Sequence, residues 1–128
     1  MQPLVSIVTP MYNNANVIIE TITSVINQTY SNWELLLIDD ASSDETIAIL
    51  KPFKESDSRI KLFQHNQNKG AAEARNLGTK MATGNYIAFL DADDLWKENK
   101  LELQVSQLIN NITDVSFGTY EWILKVNH

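Results

Sequence analysis

The sequence predicts an α/β fold with a mostly parallel sheet flanked by helices. Three observations carry this expectation. Short β-rich apolar runs alternate with stretches of helical periodicity. The run Leu35-Leu36-Leu37-Ile38 is unbroken rather than alternating, as suits a strand covered on both faces. The connections are short, which favours parallel neighbours joined by right-handed crossovers.

Each element has its own signal. Leu4-Val5-Ser6-Ile7-Val8-Thr9 is a β-rich run, and Val17, Ile18, Ile22, Val25 and Ile26 fit one helical face. Trp33 to Ile38 forms the second strand. Ser42 followed by Glu45 matches a capping box, predicting a helix over about 44–55, which Pro52 should end or bend. Arg59-Ile60-Lys61-Leu62-Phe63 alternates polar and apolar, as a half-exposed third strand does. Ala71, Ala74, Leu77 and Met81 make a helical stripe, with Gly84 as its expected C-terminal stop. Tyr86 to Leu90 is the fourth strand. Leu101, Val105, Leu108, Ile109 and Ile112 mark a further helix, and one last strand is expected within Val115 to Ile123.

The bulk numbers narrow the function classes. A chain of 128 residues supports one domain, 1–128, with a real core. A net charge of −6 argues against a nucleic-acid surface, which needs basic patches. The absence of cysteine removes disulfides and thiolate metal sites. The start Met1-Gln2-Pro3-Leu4 lacks the pattern of a signal peptide, and no run approaches the length of a bilayer span. A cytoplasmic chain is therefore expected, peripheral at most to the inner face of a membrane.

Three segments follow strand ends and should share one edge of a parallel sheet: Thr9 to Asn13, Asp39 to Ser42, and Asp91-Ala92-Asp93-Asp94. Ligands of open α/β sheets bind at that edge. Three carboxylates within four positions repel strongly; two like charges about 4 Å apart cost roughly 4 kcal/mol at an effective dielectric of 20. Lys97 is the only cation close by in sequence. A hard divalent cation held by Asp91 and Asp93 relieves the repulsion and can bridge to phosphates. Tyr12 offers a flat ring, and Asp39 and Asp40 offer acceptors for the imide N–H of a uracil-like base. Together these describe a nucleotide-diphosphate pocket. Plainer roles stand beside these. Asp39 and Asp40 can make an Asx-turn ahead of Ser42. Asn68-Lys69-Gly70 reads as a structural turn. Arg75 can pair with Glu73 or another surface acid, Tyr12 and Trp96 can be core or rim aromatics, and the acidic turn can simply be solvated. His65 and His128 have no partner at metal-ligand spacing and are expected at the surface.

Five stretches, in order, resemble the family 2 glycosyltransferases of the GT-A fold. They are Val5 to Asn13, Ser24 to Tyr30, Leu37 to Asp44, Asn68 to Gly78, and Gly84 to Asp94, within a match over about 4–103. The resemblance implies a nucleoside bordered by Pro10 and Tyr12, a base hydrogen-bonded by Asp40, and Asp39 supporting that loop. It places Arg75 near the base and its aspartate, and Lys69 and Gly70 in a loop over the nucleotide. It makes Asp91-Ala92-Asp93 a DXD-type motif, with Asp93 the principal ligand of Mn²⁺ or Mg²⁺ and Asp91 at the ribose or the metal. The implied activity is metal-dependent, inverting transfer of a sugar from a nucleotide-diphospho-sugar donor, with UDP expected, to a hydroxyl of a saccharide or glycolipid acceptor.

One departure stands out. In such enzymes the general base and acceptor half follow the DXD motif, yet no convincing base lies between Leu95 and His128; Asp114 and Glu121 sit in no family motif. The chain is expected to be the donor-binding part of a longer enzyme. The alternative is a non-catalytic nucleotide-sugar-binding module. A dinucleotide oxidoreductase would need G-x-G-x-x-G after the first strand, and Thr9 to Asn14 holds no glycine.

Overall fold

The computed structural model describes residues 2–110 and the backbone of the strand segments 115–117 and 122–125. Strands and helices alternate as β1 (Val5–Met11), α1 (Ile18–Ile26), β2 (Trp33–Asp39), α2 (Thr46–Ser56), β3 (Ile60–Gln64), α3 (Ala71–Met81), β4 (Tyr86–Phe89) and α4 (Lys100–Asn110). The two strands β5 (Val115–Phe117) and β6 (Trp122–Lys125) follow. The sheet order is β3-β2-β1-β4-β6-β5. The first four strands are mutually parallel; β6 joins β4 and β5 antiparallel. Where one last strand was expected, there are two.

The core lies on both faces of the sheet. Leu35 and Leu37 of β2 face one way, into the cluster formed with Ile18, Ile22, Leu50, Leu101 and Val105. Leu36 and Ile38 face the other way, against Ala74 of α3 and Val8 of β1. Thus α1, α2 and α4 cover one face and α3 the other. For α1, α2 and α3 the reason is chirality. From β1 to β3 the chain steps outward in one direction, then returns past β2 and β1 to β4. A crossover of constant hand must put the returning helix on the opposite face.

Several local expectations fail for identifiable reasons. The capping box does not form: Glu45 at the N-cap makes no side-chain cap bond, Asp44 Oδ1 accepts the Thr46 N–H at 3.0 Å instead, and the Ser42 hydroxyl receives the Asn13 N–H at 2.9 Å. Pro52 sits inside α2, which continues to Ser56. The α3 stripe is shifted. Ala74 and Gly78 are its buried positions, whereas Met81 is exposed. Gly78 lies so close to β1 that a Cβ would come within 2.3 Å of a Val8 methyl. Gly84 does not stop α3, whose C-cap is Ala82.

Gly84 has a different task. A Cβ there would meet the Leu4 carbonyl at 2.6 Å and the Ser6 amide nitrogen at 2.9 Å. Its N–H donates to the Ser6 hydroxyl (2.8 Å), which donates in turn to buried Glu34 (2.7 Å). The entry into β4 must therefore touch the start of β1. Because two of the obstructing atoms are main chain and the third is the Ser6 hydroxyl at 2.7 Å, Gly84→Ala should destabilise the protein by about 2 kcal/mol. Urea denaturation should show a lower midpoint with an unchanged slope.

Candidate functional site

The site begins with an unequal pairing of β1. It runs beside β2 through Met11↔Asp39 but beside β4 only to Val8↔Phe89. Val8 gives its carbonyl to the Leu90 N–H at 3.0 Å. By the alternation of the ladder, the donor that Pro10 lacks faces that same side, where β4 has already ended. A proline is tolerated in a central strand for this reason. Beyond Val8 the two strands part, at the point where the strand order reverses, and open α/β sheets bind ligands at such points. A cleft of about 210 Å³ opens there, lined by Pro10, Met11, Tyr12, Asn14, Asp40, Ala71, Ala74, Arg75, Asp91, Ala92 and Asp93.

The loops after β1 and β2 are stitched together. Asn13, in the left-handed region at φ 53°, accepts the Ser43 N–H at 2.8 Å on its side-chain oxygen. The Asn14 N–H donates to Thr46 Oγ1 at 3.0 Å. Tyr12 stands on this frame at the rim, 49 % exposed. Asp39 and Asp40 have separate jobs. Asp39 accepts the Ser42 N–H (3.0 Å) and hydroxyl (2.5 Å), the turn-forming role. Asp40, buried, reaches the loop before α3. Its Oδ1 accepts the Lys69 N–H at 2.9 Å, and its Oδ2 accepts the Gly70 N–H at 2.8 Å. Asn68-Lys69-Gly70 is a loop leading into α3, with Gly70 at φ 95°, and the Lys69 and Gly70 amides hold a cleft-lining carboxylate.

His65 corrects the sequence reading. Its side chain is 10 % exposed, and its Nδ1 lies 2.8 Å from Asp40 Oδ1. The reason is the ladder: His65 follows β3 directly, and its N–H donates to the Asp39 carbonyl at 2.9 Å, which sets the ring beside Asp40, the first residue after β2. No metal-ligand pattern or motif marks this position. Only its place right after an alternating strand could have flagged it. His128 lies outside the described residues. Burial pushes the Asp40 carboxyl up, but the Lys69 amide, His65 and the Gly70 amide outweigh it and hold it below the ordinary carboxylate value. The folded value is thus below the unfolded one. These bonds add stability above the unfolded value that is lost as the pH falls through the folded one.

The acidic turn is the other end of the cleft. Asp91, Asp93 and Asp94 are exposed, and each can place an oxygen within 4.8 Å of the others. Burial, then repulsion from Asp91 and Asp93, raises the Asp94 carboxyl, with Lys100 opposing. Arg75 Nη2 approaches Asp91 at 3.5 Å. The positive groups that act on the turn include Arg75 and Lys100, which its sequence neighbourhood did not point to. An all-oxygen donor set with net negative charge suits a hard divalent cation. The turn is fastened from behind by α1 and by Gln28 just past its end. Thr21 Oγ1 donates to the Ala92 carbonyl (2.6 Å), Ser24 Oγ accepts the Trp96 N–H (3.3 Å), and Gln28 Nε2 donates to the Lys97 carbonyl (2.7 Å). The apolar periodicity of α1 gave no sign of this polar edge. Trp96 itself is core, and Tyr12 is a rim aromatic.

Of the residues expected at the site, Pro10, Tyr12, Asp40, Arg75, Asp91 and Asp93 line one cleft. Asp39, Lys69 and Gly70 stand behind it as turn and anchor.

The parallel strands with helices on both faces and the cleft at the switch point form a GT-A transferase fold. The sequence model described as Glycosyl transferase family 2 matches residues 6–127. The chain belongs to that family. It is 52 % identical over 120 residues to the Escherichia coli UDP-Glc:alpha-D-GlcNAc-diphosphoundecaprenol beta-1,3-glucosyltransferase WfgD, covering 94 % of this chain and 47 % of that one. TarS 1-349 of S. aureus, solved in complex with UDP, superposes with a TM-score of 0.81 at 27 % identity, over 87 % of this chain and 33 % of that one. The mannosyltransferase PcManGT of Pyrobaculum calidifontis, solved with GDP-Man and Mn2+, gives 0.87 at 22 % identity, over 98 % and 45 %, a likeness of fold. The chain spans about half the length of the curated relatives it matches.

Ala41 lies in the loop after β2 at φ 65°, where an L side chain is strained. Ala41→Gly removes that strain at some entropic cost. The variant should be more stable by about 0.5–1 kcal/mol, read as a higher midpoint in thermal denaturation.

Proposed function

We propose that this chain is the donor-binding domain of a metal-dependent, inverting glycosyltransferase that takes a UDP-sugar. The observation that carries the reading is the convergence of Tyr12, Asp40, Arg75, Asp91 and Asp93 on one cleft at the β1–β4 split. Tyr12 and Pro10 flank the base. Asp40, held ionised and therefore an acceptor only, receives the base N–H. Asp39, Lys69 and Gly70 keep that acceptor in place. Arg75 and the acidic turn face the diphosphate end, and Asp93, with Asp91, holds Mn²⁺ or Mg²⁺. Bound there, such a cation supplies Lewis-acid stabilisation of the departing nucleoside diphosphate. An acceptor hydroxyl, giving its proton to a general base, would displace the nucleoside diphosphate from the opposite face of the anomeric carbon, which inverts the configuration.

The relative from E. coli and the TarS structure with UDP support a nucleotide-sugar donor. That relative's name supports a lipid-linked saccharide acceptor, and we place the protein at the cytoplasmic face of the membrane on that reading. No described helix is long and apolar enough to cross a membrane. Beyond the acidic turn the described acids are Glu98 and Glu102, both exposed on the α4 side; Asp114 and Glu121 lie outside the described residues. The general base belongs to the part of the relatives that this chain does not span. Residues 1–128 then bind the donor as a unit, and binding is the activity to measure.

Calorimetric titration of UDP with and without Mn²⁺ tests this. The parent should bind UDP more tightly with Mn²⁺ present. Asp93→Ala should lose that increment and keep its fold; equal affinity in variant and parent would defeat the metal assignment. Asp40→Ala should weaken UDP by about tenfold to a hundredfold, the range for a lost hydrogen bond to a charged group, while Mn²⁺ uptake persists. Undiminished uridine binding by that variant removes the base-recognition role.

A further inference from the structure

We propose that His65 is a positioning residue for nucleotide recognition, orienting the Asp40 carboxylate that reads the base. The inference rests on the reading of the cleft as a nucleotide site and adds a residue to it.

The geometry is specific. Asp40 Oδ1 takes two partners, His65 Nδ1 at 2.8 Å and the Lys69 N–H at 2.9 Å; Oδ2 takes one, the Gly70 N–H at 2.8 Å. A carboxylate has about four acceptor positions, so the position left for a ligand is on Oδ2. The three donors differ in what supports them. The two amides belong to the loop at Lys69 and Gly70, outside any strand or helix. His65 belongs to the sheet, because its own N–H extends the β2–β3 ladder through the Asp39 carbonyl at 2.9 Å. It ties the carboxylate to the rigid scaffold and leaves Oδ2 turned to its task. Supporting contacts of this kind decide whether a recognition group is held within the tolerance that binding requires. The ring is nine-tenths buried, so solvent competes little for the bond.

The bond also dictates the ring's chemistry. Asp40 is held ionised and offers no proton. His65 must therefore carry hydrogen on Nδ1, as the Nδ1–H tautomer or the imidazolium. Its position facing Asp40 rather than the acidic turn separates its effect from that of the metal. Removing it should disturb the base and leave the diphosphate end alone.

The experiment compares UDP with inorganic pyrophosphate, both with Mn²⁺, on the parent chain, His65→Leu and His65→Asn. Leucine fills the space without a donor; the asparagine amide returns a donor near the Nδ1 position. His65→Leu should bind UDP at least about tenfold more weakly, bind pyrophosphate like the parent, and be rescued to within about threefold in His65→Asn. Equal UDP affinity in His65→Leu and parent overturns the proposal. So does an equal loss for both ligands, or an asparagine variant no better than leucine. A parent that binds pyrophosphate but not UDP removes the nucleotide reading itself, and this inference with it. The parent alone gives a second answer that needs no variant to fold. Nitrogen NMR of the ring should show hydrogen on Nδ1 and a resonance displaced by UDP but not by pyrophosphate. A bare Nδ1, or a ring indifferent to UDP, overturns the proposal equally.

Discussion

Everything at the site depends on the early end of the β1–β4 ladder. Pairing stops at Val8 and Phe89, while β1 continues beside β2 as far as Met11. The unmatched three residues of β1 bring Pro10 and Met11 to the wall of the cleft and lift Tyr12 to its rim. On the other side, the chain leaving β4 turns at once into the acidic segment. Had the two strands stayed paired, no opening would separate the base end from the carboxylates. Proline at position 10 is compatible with the split and incompatible with a continued ladder.

The two ends of the cleft are built differently. At the Asp40 end the carboxylate is buried, multiply bonded and ionised, so the recognition group is preorganised before a ligand arrives. At the acidic end three exposed carboxylates crowd one another, tempered by Arg75 and Lys100. That end keeps its backbone in place through Thr21, Ser24 and Gln28 but leaves its charge unsettled. A rigid reader beside a charge-frustrated turn is a sensible division where a base is recognised by shape and a diphosphate by charge.

The elements most readily read in the sequence were those whose signal is their own burial. The unbroken run in β2 announced a strand covered on both faces, and it is buried throughout. The apolar faces of α1 and α4 place Ile18, Ile22, Leu101 and Val105 in the core as their spacing implied. Local chemistry misled where a long-range partner took the group instead. Ser42 went to Asn13 and Asp39 rather than to a helix cap. Gly84 went to the start of β1, far away in sequence, rather than to the end of α3. Pro52 was absorbed within α2. The final segment reads as one strand by composition, and pairing with β4 makes it two.

The sequence by itself determined the α/β class, the order of elements, the family, and which residue types gather at the strand ends. Those follow from periodicity and from motifs that are local along the chain. Tertiary structure alone decided that Asp39 serves the turn while Asp40 serves the cleft, that Arg75 faces Asp91, and that His65 stands behind Asp40. Each of these depends on register between strands and on which face a crossover takes. A shift of one residue in a parallel ladder reverses every side chain, and pairing register is a property of two segments that neither one contains.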